Sequence, residues 1–146
     1  MCPLALNPYL SQDDVADRAT GGTVGTVRVL IVDDEDDMRA LIRSHIEIAN
    51  HGLSVAGVAS DGDEALRRWR EDRPDVVLLD QRMPGPSGLE TAEAILREEP
   101  NQAVILFTAF LDPAVRQSAE RLGVKACVKK DDVRKVILQL RECAAA

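Results

Sequence analysis

The stretch Asp75-Val-Val-Leu-Leu-Asp80-Gln-Arg-Met-Pro84-Gly-Pro-Ser-Gly88 decides how this chain folds. Its apolar run, Val76 to Leu79, is short and begins with β-branched residues, which is typical of a strand buried on both faces of a parallel sheet. The run ends at a carboxylate, Asp80, and two prolines and two glycines follow within eight residues, so the chain must turn there. Because open α/β sheets bind ligands at the carboxyl ends of their strands, Asp80 is a candidate functional residue. The competing interpretation is that Asp80 only ends a strand and faces water.

Composition is that of a globular domain with a substantial core. The chain has 146 residues, of which 45% are apolar and 29% are charged, close to the averages for such domains. Its formal net charge is −7, and no basic patch or basic helix stands out, so we expect no direct contact with nucleic acid. No apolar run approaches the roughly 20 residues that a membrane span requires, so we expect no membrane contact either.

The start of the chain and the cysteines both indicate a cytoplasmic location. Residues 1–8 lack the basic region and the sustained apolar region of a signal peptide. The cysteines, Cys2, Cys127 and Cys143, have neither metal-ligand nor redox spacing, which is typical of free thiols in a reducing compartment.

Residues 1–26 are polar, show no sustained period and end in a glycine-rich stretch from Thr20 to Thr26. We expect them to form a disordered N-terminal tail, and residues 27–146 to form the folded domain. The glycine-rich stretch does not fit a phosphate-binding loop. It lacks a Gly-Lys-Ser/Thr ending, and it precedes a strand instead of joining a strand to a helix.

Apolar periodicity beyond the tail predicts a strand followed by a helix, repeated five times up to residue 143. The predicted strands span residues 27–32, 53–58, 76–79, 103–107 and 126–128. The second of them is the weakest, with Gly57 inside it, which suits an edge strand. Short connections and right-handed crossovers make this an α/β protein with a flavodoxin-like, doubly wound, five-stranded parallel sheet of order 2-1-3-4-5 and five helices.

Local signals mark where the helices begin and which faces they bury. Asp61, Ser87 and Asp112 are the predicted N-caps of the second, third and fourth helices. Asp131 or Asp132 is predicted to cap the fifth. The first helix is predicted to pack through apolar residues at helical spacing. These are Met38, Leu41, Ile42, Ile46 and Ala49.

The polar residues that follow the strands fall at carboxyl ends, so the fold brings them to one edge of the sheet. Asp33 and Asp34 follow the first strand, and Asp80 ends the third. The first and third strands are neighbours in a 2-1-3-4-5 order, which puts the three carboxylates in one crevice. Thr108 ends the fourth strand, and Lys130 follows the fifth.

Three clustered carboxylates require a neutralising charge, because a like-charge pair at ~4 Å costs about 4 kcal/mol at a partly shielded surface. Oxygen-only ligands at an open surface suit Mg²⁺, with Mn²⁺ as the alternative, whereas zinc would require Cys or His nearby. Lys130 adds a positive charge for a phosphate oxygen, and Thr108 adds a hydroxyl donor. A carboxylate nucleophile beside a metal, a lysine and a hydroxyl predicts a phosphoryl-accepting site that forms an aspartyl phosphate.

Four short motifs, in this order, resemble the response-regulator receiver domains of two-component, or phosphorelay, signalling. They are Ile31-Val32-Asp33-Asp34-Glu35, Asp80-x-x-Met83-Pro84-x-x-x-Gly88, Phe107-Thr108-Ala109 and Lys130-Asp131. The resemblance covers about residues 27–143, and each motif lies at the end of a predicted strand.

The resemblance implies a phosphoacceptor and a set of metal ligands. Asp80 would accept a phosphoryl group from a phosphohistidine of a sensor histidine kinase or a phosphotransfer protein. Asp34, Asp80 and the backbone carbonyl of Arg82 would ligate Mg²⁺ directly, and Asp33 would act mainly through water.

The resemblance also assigns the residues that contact the phosphoryl group. Thr108 would move toward it. Lys130, and not Lys129, would pair with it, because the family's lysine follows the fifth strand and precedes Asp or Pro. The protein would phosphorylate and dephosphorylate itself and would not be a turnover enzyme.

One position departs from the family pattern. The family usually has an aromatic residue on the fifth strand, whose rotation is coupled to the threonine movement, and Cys127 stands there. A small thiol cannot exchange between inward and outward positions as a ring does, so we do not expect the usual coupling of ring rotation to the threonine movement.

Because the chain ends at Ala146, we expect a single-domain regulator. Its output would come from an unknown downstream protein that binds the face of the fourth helix, fifth strand and fifth helix. The alternatives are that the chain relays its phosphoryl group to another protein or serves as a phosphate sink. A homodimer through the last two helices is compatible with the sequence but not required by it.

Three other functions compete with this interpretation. A phosphorylation-independent protein-binding module of the same fold is the main alternative, and Mg²⁺-dependent phosphorylation distinguishes the two. A phosphatase with an aspartyl nucleophile would require an Asp-x-Asp motif, but the residue two past Asp80 is Arg82. A flavin carrier would need a phosphate-cradling loop after the first strand, where this chain has consecutive acids from Asp33 to Asp37.

Overall fold

The computed structural model describes residues 26–49 and 52–145, with side chains described up to residue 48 in the first range and up to residue 143 in the second. The tail predicted at residues 1–26 lies outside these ranges except for Thr26, as does Cys2. Within them, Cys127 and Cys143 are free thiols, as predicted.

Five strands alternate with five helices along the described chain. The strands are β1 (Val27–Val32), β2 (Leu53–Ala59), β3 (Val76–Asp80), β4 (Ala103–Thr108) and β5 (Ala126–Lys129). The helices are α1 (Asp36–Ala49), α2 (Gly62–Asp72), α3 (Gly88–Glu98), α4 (Pro113–Leu122) and α5 (Val133–Ala145). Neighbouring strands are parallel, and their order in the sheet is β2-β1-β3-β4-β5. The predicted flavodoxin-like, doubly wound fold is confirmed.

Successive residues of the strands pack against helices on opposite faces of the sheet. Leu79 and Leu106 belong to the face covered by α2, α3 and α4, whereas Leu78 and Ile105 belong to the face covered by α1 and α5. These four side chains are fully buried, as expected for strands covered on both faces. Asp80 lies two positions after Leu78, so the pleat directs its side chain toward the α1 and α5 side.

The predicted helix starts are confirmed. Asp61, Ser87 and Asp112 each accept a hydrogen bond from a backbone N–H in the first turn of their helix. Ser87 also forms the full capping box expected from its sequence. At α5 the equivalent bond is accepted by Asp132 and not by Asp131.

Helix α1 differs from its prediction on one side. Ile42 and Ile46 are fully buried as expected, but Leu41, which is predicted to pack, is 41% exposed. Ile48, which is not part of the predicted set, is 82% exposed. The apolar residues of α1 form a wider set than the sheet can cover, because only one face of a helix reaches the core.

The helices of the fold are short. The longest, α1, has 14 residues. Nowhere in the described ranges does a helix combine the length and the apolar composition needed to cross a lipid bilayer.

Candidate functional site

Three carboxylates meet at the carboxyl ends of β1 and β3. Asp33 and Asp34 follow β1 directly, Asp80 is the last residue of β3, and one oxygen of each lies within 4.8 Å of the others. Asp33 is fully buried and Asp80 is 3% exposed, while Asp34 faces solvent. The alternative in which Asp80 ends a strand and faces water is therefore wrong.

Lys130 supplies the positive charge of this cluster. Its Nζ lies 2.7 Å from Asp33 Oδ2 and 3.0 Å from Asp80 Oδ2, and its side chain is only 11% exposed. Asp33 Oδ2 accepts no regular hydrogen bond from the described residues, so the ion pair with Lys130 is what offsets its burial. The sequence predicts this lysine as the partner of a phosphate, and in the structure its partners are the two carboxylates.

The charges of the cluster shift one another's pKa values. Burial raises the pKa of the Asp80 carboxyl, and the neighbouring Asp33 charge raises it further. The Lys130 ammonium and the backbone N–H of Arg82 act in the opposite direction. Burial alone would lower the pKa of Lys130, but its bonds to Asp33 and Asp80 outweigh burial, so the pKa of Lys130 is raised. Lys130 therefore stays charged, and Asp80 is more basic than an ordinary aspartate.

A backbone contact places Thr108 and Lys130 beside the carboxylates. The Lys130 N–H donates to the Thr108 carbonyl over 3.0 Å, which ties the residue after β5 to the end of β4. Thr108 is 1% exposed and ends the strand next to β3. The structure thus brings the predicted residues Asp33, Asp34, Asp80, Thr108 and Lys130 to one edge of the sheet.

Arg82 lies in the loop after β3, and its side chain contacts Phe110. Its guanidinium carbon is 5.5 Å from the centroid of the Phe110 ring, which is 69% exposed. This is a cation–π contact at the rim of the site. The backbone N–H of Arg82 lowers the pKa of Asp80, and the role of the Arg82 carbonyl as a metal ligand stays a prediction.

Sequence reasoning missed three neighbours of Asp33 and Lys130. Arg39 Nη1 donates to the Asp33 carbonyl over 2.6 Å, and the Glu35 N–H donates to Asp33 Oδ1 over 2.9 Å. The ring centroid of Phe107 lies 4.9 Å from Lys130 Nζ. The position of Arg39, in the first helical turn after the acidic run, is a signal in the sequence. Phe107 begins the Phe107-Thr108-Ala109 motif, but nothing in that motif indicates its contact with Lys130.

Gly88 is required by the close approach of the backbone at Asp80. A Cβ at this position would lie 2.3 Å from the Asp80 carbonyl oxygen and 2.8 Å from the Gln81 Cα. The Gly88 N–H donates to the Gln81 carbonyl over 2.9 Å. The loop after β3 therefore closes tightly on the strand end and holds the backbone of Asp80 in place.

A groove opens on the face of α4, β5 and α5, beside Cys127. Its volume is about 360 Å³, and its lining includes Leu111, Arg116, Lys135 and Leu138. Leu138 is 57% exposed, and Cys127 is half-buried. Burial raises the pKa of the Cys127 thiol, which keeps it protonated at neutral pH.

Comparison with known proteins gives one family. The model of the response regulator receiver domain matches residues 29–141. Chemotaxis protein CheY of Thermotoga maritima is 36% identical over 103 residues, which cover 70% of this chain and 84% of that protein. Response regulator GacA of Pseudomonas viridiflava is 44% identical over 82 residues, or 56% of this chain, but the match spans only 38% of GacA.

A solved structure shows the same fold at a lower identity. The match is to the CheX–CheY–BeF3–Mg²⁺ complex from Borrelia burgdorferi, with a TM-score of 0.73 and 27% identity, and it covers 82% of this chain and 89% of that chain. Residues 29–141 of the family match include the carboxyl ends of all five strands. The chain therefore belongs to the response regulator receiver domain family.

Proposed function

We propose that this chain is a single-domain response regulator that accepts a phosphoryl group on Asp80 from a sensor histidine kinase or a phosphotransfer protein. One observation carries the proposal. Asp80, only 3% exposed, lies beside a second buried carboxylate and 3.0 Å from an ammonium. Buried charges are costly to the fold, and such clusters concentrate at sites where a group must react. A nucleophilic carboxylate explains why the charge is kept.

An oxygen of Asp80 would attack the phosphorus of the phosphohistidine. A P–O bond forms as the P–N bond breaks, and the electron pair of the broken bond stays with the imidazole nitrogen, which takes up a proton. The raised pKa of Asp80 makes its carboxylate a stronger nucleophile than an ordinary aspartate. Attack by water on the phosphorus of the acyl phosphate would break the bond to the Asp80 oxygen, release inorganic phosphate and return the carboxylate. The chain would thus phosphorylate and dephosphorylate itself without being a turnover enzyme.

Lys130 and Thr108 would stabilise the transferred group. Because Lys130 Nζ is already 3.0 Å from Asp80 Oδ2, it needs only to exchange a carboxylate oxygen for a phosphoryl oxygen. Its charge then offsets the negative charge on the equatorial oxygens. The Thr108 hydroxyl, at the end of the adjacent strand, offers a hydrogen-bond donor to another phosphoryl oxygen.

The donor set also fits a divalent cation. Asp33, Asp34 and Asp80 offer oxygens within 4.8 Å of one another, and one ammonium offsets only part of their charge. Oxygen-only ligands suit Mg²⁺, or Mn²⁺ as the alternative. Asp34, Asp80 and the carbonyl of Arg82 would hold the ion, and Asp33 would act through water. When bound, the cation supplies positive charge to the phosphoryl oxygens. The related structure from Borrelia burgdorferi is a CheX–CheY complex with BeF3 and Mg²⁺, which supports this assignment.

Intact mass spectrometry after incubation with acetyl phosphate and Mg²⁺ tests the proposal. We expect one added phosphoryl group on the full chain, absent with a chelator and absent in Asp80→Asn. Asp63→Asn, which removes an exposed acid of α2, is the matched control and should be phosphorylated like the wild type. A folded wild-type chain that takes up no phosphoryl group would overturn the proposal and favour a phosphorylation-independent binding module.

A downstream protein would bind the face of α4, β5 and α5. The groove there combines an exposed leucine, Leu138, with the cations Arg116, Lys129 and Lys135, so it suits a partner segment with apolar and acidic residues. Because Cys127 has no ring, we do not propose that aromatic rotation reports phosphorylation in this chain. A homodimer through α4 and α5 would use the same face.

The proposed receiver domain takes in residues 27–146, because β1 begins at Val27 and α5 runs to Ala145, slightly beyond the matched residues 29–141. Residues 1–26 would form a tail outside it. The proposal places the chain in the cytoplasm, where the histidine kinases of the family present their phosphohistidine.

A further inference from the structure

Phe107 contacts Lys130, and none of the steps above uses it. Its ring is 1% exposed, and the ring centroid lies 4.9 Å from Lys130 Nζ. We propose that Phe107 is a positioning residue that holds the Lys130 ammonium between Asp33 and Asp80. The inference rests on the proposed function, because its consequence is a faster uptake of the phosphoryl group by Asp80.

The sheet fixes the ring between the residues that the ammonium joins. Phe107 pairs in register with Asp80 on β3 and with Val128 on β5. Lys130 lies two positions after Val128, so its side chain leaves the chain on the same face of the sheet as the ring. The side chain must cross β4 to reach Asp80 and Asp33, and the Phe107 ring lies directly beneath that crossing.

A lysine needs such support because it has four rotatable side-chain bonds, and fixing them is entropically unfavourable. The carboxylates cannot supply all of the support. Asp80 changes its shape and charge when it is phosphorylated, and Asp33 would be shared with the proposed cation. The electron-rich face of an aromatic ring attracts an ammonium and stays unchanged through the reaction. Phe107 thus holds the Lys130 ammonium while its oxygen partners are exchanged.

The ring itself is held firmly. Phe107 is among the largest fully buried side chains, and it packs in the core with residues of α1 and α5. A leucine would fill most of this space with apolar atoms but would present no aromatic face to the ammonium. Substitution by leucine is therefore a test of the aromatic contact more than of the apolar packing.

The rate of phosphorylation of the full chain by acetyl phosphate and Mg²⁺ measures the effect. Phe107→Leu should lower the rate about five-fold, or roughly 1 kcal/mol of barrier, a size that cation–π contacts reach. Phe107→Tyr keeps the ring face and should stay within about two-fold of the wild type. The matched control is Ile105→Leu, because Ile105 is fully buried two residues earlier on the same face; it should leave the rate unchanged.

A double-mutant cycle separates positioning from a general effect on the fold. In a Lys130→Met background, Phe107→Leu should cause no further loss of rate, because the side chain that the ring supports is gone. A loss of equal size in both backgrounds would overturn the inference, as would an unchanged rate for Phe107→Leu alone. If the wild type takes up no phosphoryl group, the proposed function fails, and proton NMR of the unmodified chain then tests the positioning of Lys130.

Proton NMR of the unmodified wild-type chain requires neither a variant nor a reaction. The ε-methylene protons of Lys130 should resonate upfield of those of the exposed Lys125 and Lys129, because the face of an aromatic ring shields protons above it. Chemical shifts equal to those of the exposed lysines would show that the ring does not hold the Lys130 side chain, and the inference would be overturned.

Discussion

Asp80 is unfavourable for the stability of the fold at neutral pH. Burial and the nearby Asp33 charge raise its pKa above 3.8, the ordinary value for an aspartate, so the folded chain holds the Asp80 proton more tightly than the unfolded chain does. By linkage, the contribution of Asp80 to stability is present below the unfolded pKa and is lost as the pH rises through the higher folded pKa. The charge that makes Asp80 a candidate nucleophile therefore works against folding.

Asp80→Asn should therefore raise the free energy of unfolding at neutral pH. The neutral amide has no charge to desolvate, and Lys130 keeps Asp33 as its partner at 2.7 Å. The advantage over the wild type should shrink as the pH falls toward 3.8, where the wild-type carboxyl is protonated as well. Urea unfolding of both chains at several pH values measures this difference, with Asp63→Asn as the control for losing an exposed acid. A stability advantage of Asp80→Asn over the wild type that grew as the pH fell would contradict this prediction.

Gly88 links the backbone of the loop after β3 to the position of Asp80. In Gly88→Ala the new Cβ would lie 2.3 Å from the Asp80 carbonyl oxygen. Because this oxygen belongs to the backbone, no change of side-chain rotamer can relieve the clash. We expect a loss of about 1–3 kcal/mol in the free energy of unfolding and a loss of about ten-fold or more in phosphorylation rate from displacement of the acceptor.

Gly85→Ala is the matched control for that substitution. Gly85 has φ of +77° and no atom within 4 Å of a Cβ position, so alanine there costs about 1–2 kcal/mol through left-handed strain alone. Its phosphorylation rate should stay near that of the wild type. If both variants lost phosphorylation equally, the contact between Gly88 and the Asp80 backbone would not be the reason.

At the scale of the elements, helix caps anchor the loops that carry the site. Ser87 accepts a hydrogen bond from the Glu90 N–H over 3.1 Å at the start of α3, directly after the loop that contains Arg82. Ser87→Ala should lower the free energy of unfolding by about 1 kcal/mol, measured by chemical denaturation. Ser87→Asp keeps an acceptor at the cap and should restore most of the loss. A Ser87→Asp chain as unstable as Ser87→Ala would show that capping is not the source of the effect.

The bounds of the strands and helices could be predicted because each is encoded locally, in apolar periodicity and in caps such as Asp61 and Ser87. Contacts between distant elements could not. Arg28 on β1 donates through Nη1 to the carbonyls of Asp72, at 2.7 Å, and Arg73, at 3.1 Å, where α2 ends. No spacing rule indicates such a contact, because its partners are far apart in the chain. The exposure of Leu41 was missed for a related reason: periodicity gives an apolar face, and only the packing decides how much of it is covered.

At the scale of the whole molecule, the strand order brings the site together. The sequence could predict which side chains share the sheet edge, because Asp33, Asp80, Thr108 and Lys130 all lie at or just beyond carboxyl ends of strands. It could not predict that the lysine side chain crosses β4 to reach both carboxylates, since this depends on directions set by the register of three strands. The contact between Lys130 and Phe107 could not be predicted for the same reason.

Mg²⁺ should stabilise the whole fold, because its proposed ligands come from β1, β3 and the loop after β3, and they converge only when the sheet is formed. At a Mg²⁺ concentration ten times the dissociation constant, the gain is about 1.4 kcal/mol, or roughly 5 °C in melting temperature for a domain of this size. Thermal unfolding of the full chain with and without Mg²⁺ measures it.

Two variants make the Mg²⁺ prediction specific to the carboxylates. Asp34→Asn should lose most of the shift, because it removes a proposed direct ligand, whereas Asp63→Asn should keep it. Lys130→Met should enlarge the shift, because the ammonium now lies 2.7 Å from Asp33 and 3.0 Å from Asp80 and competes with the cation for the same charges. If millimolar Mg²⁺ left the melting temperature of the wild type unchanged, or shifted that of Asp34→Asn equally, the ion would be excluded from this cluster. The neutralising charge would then be Lys130 alone.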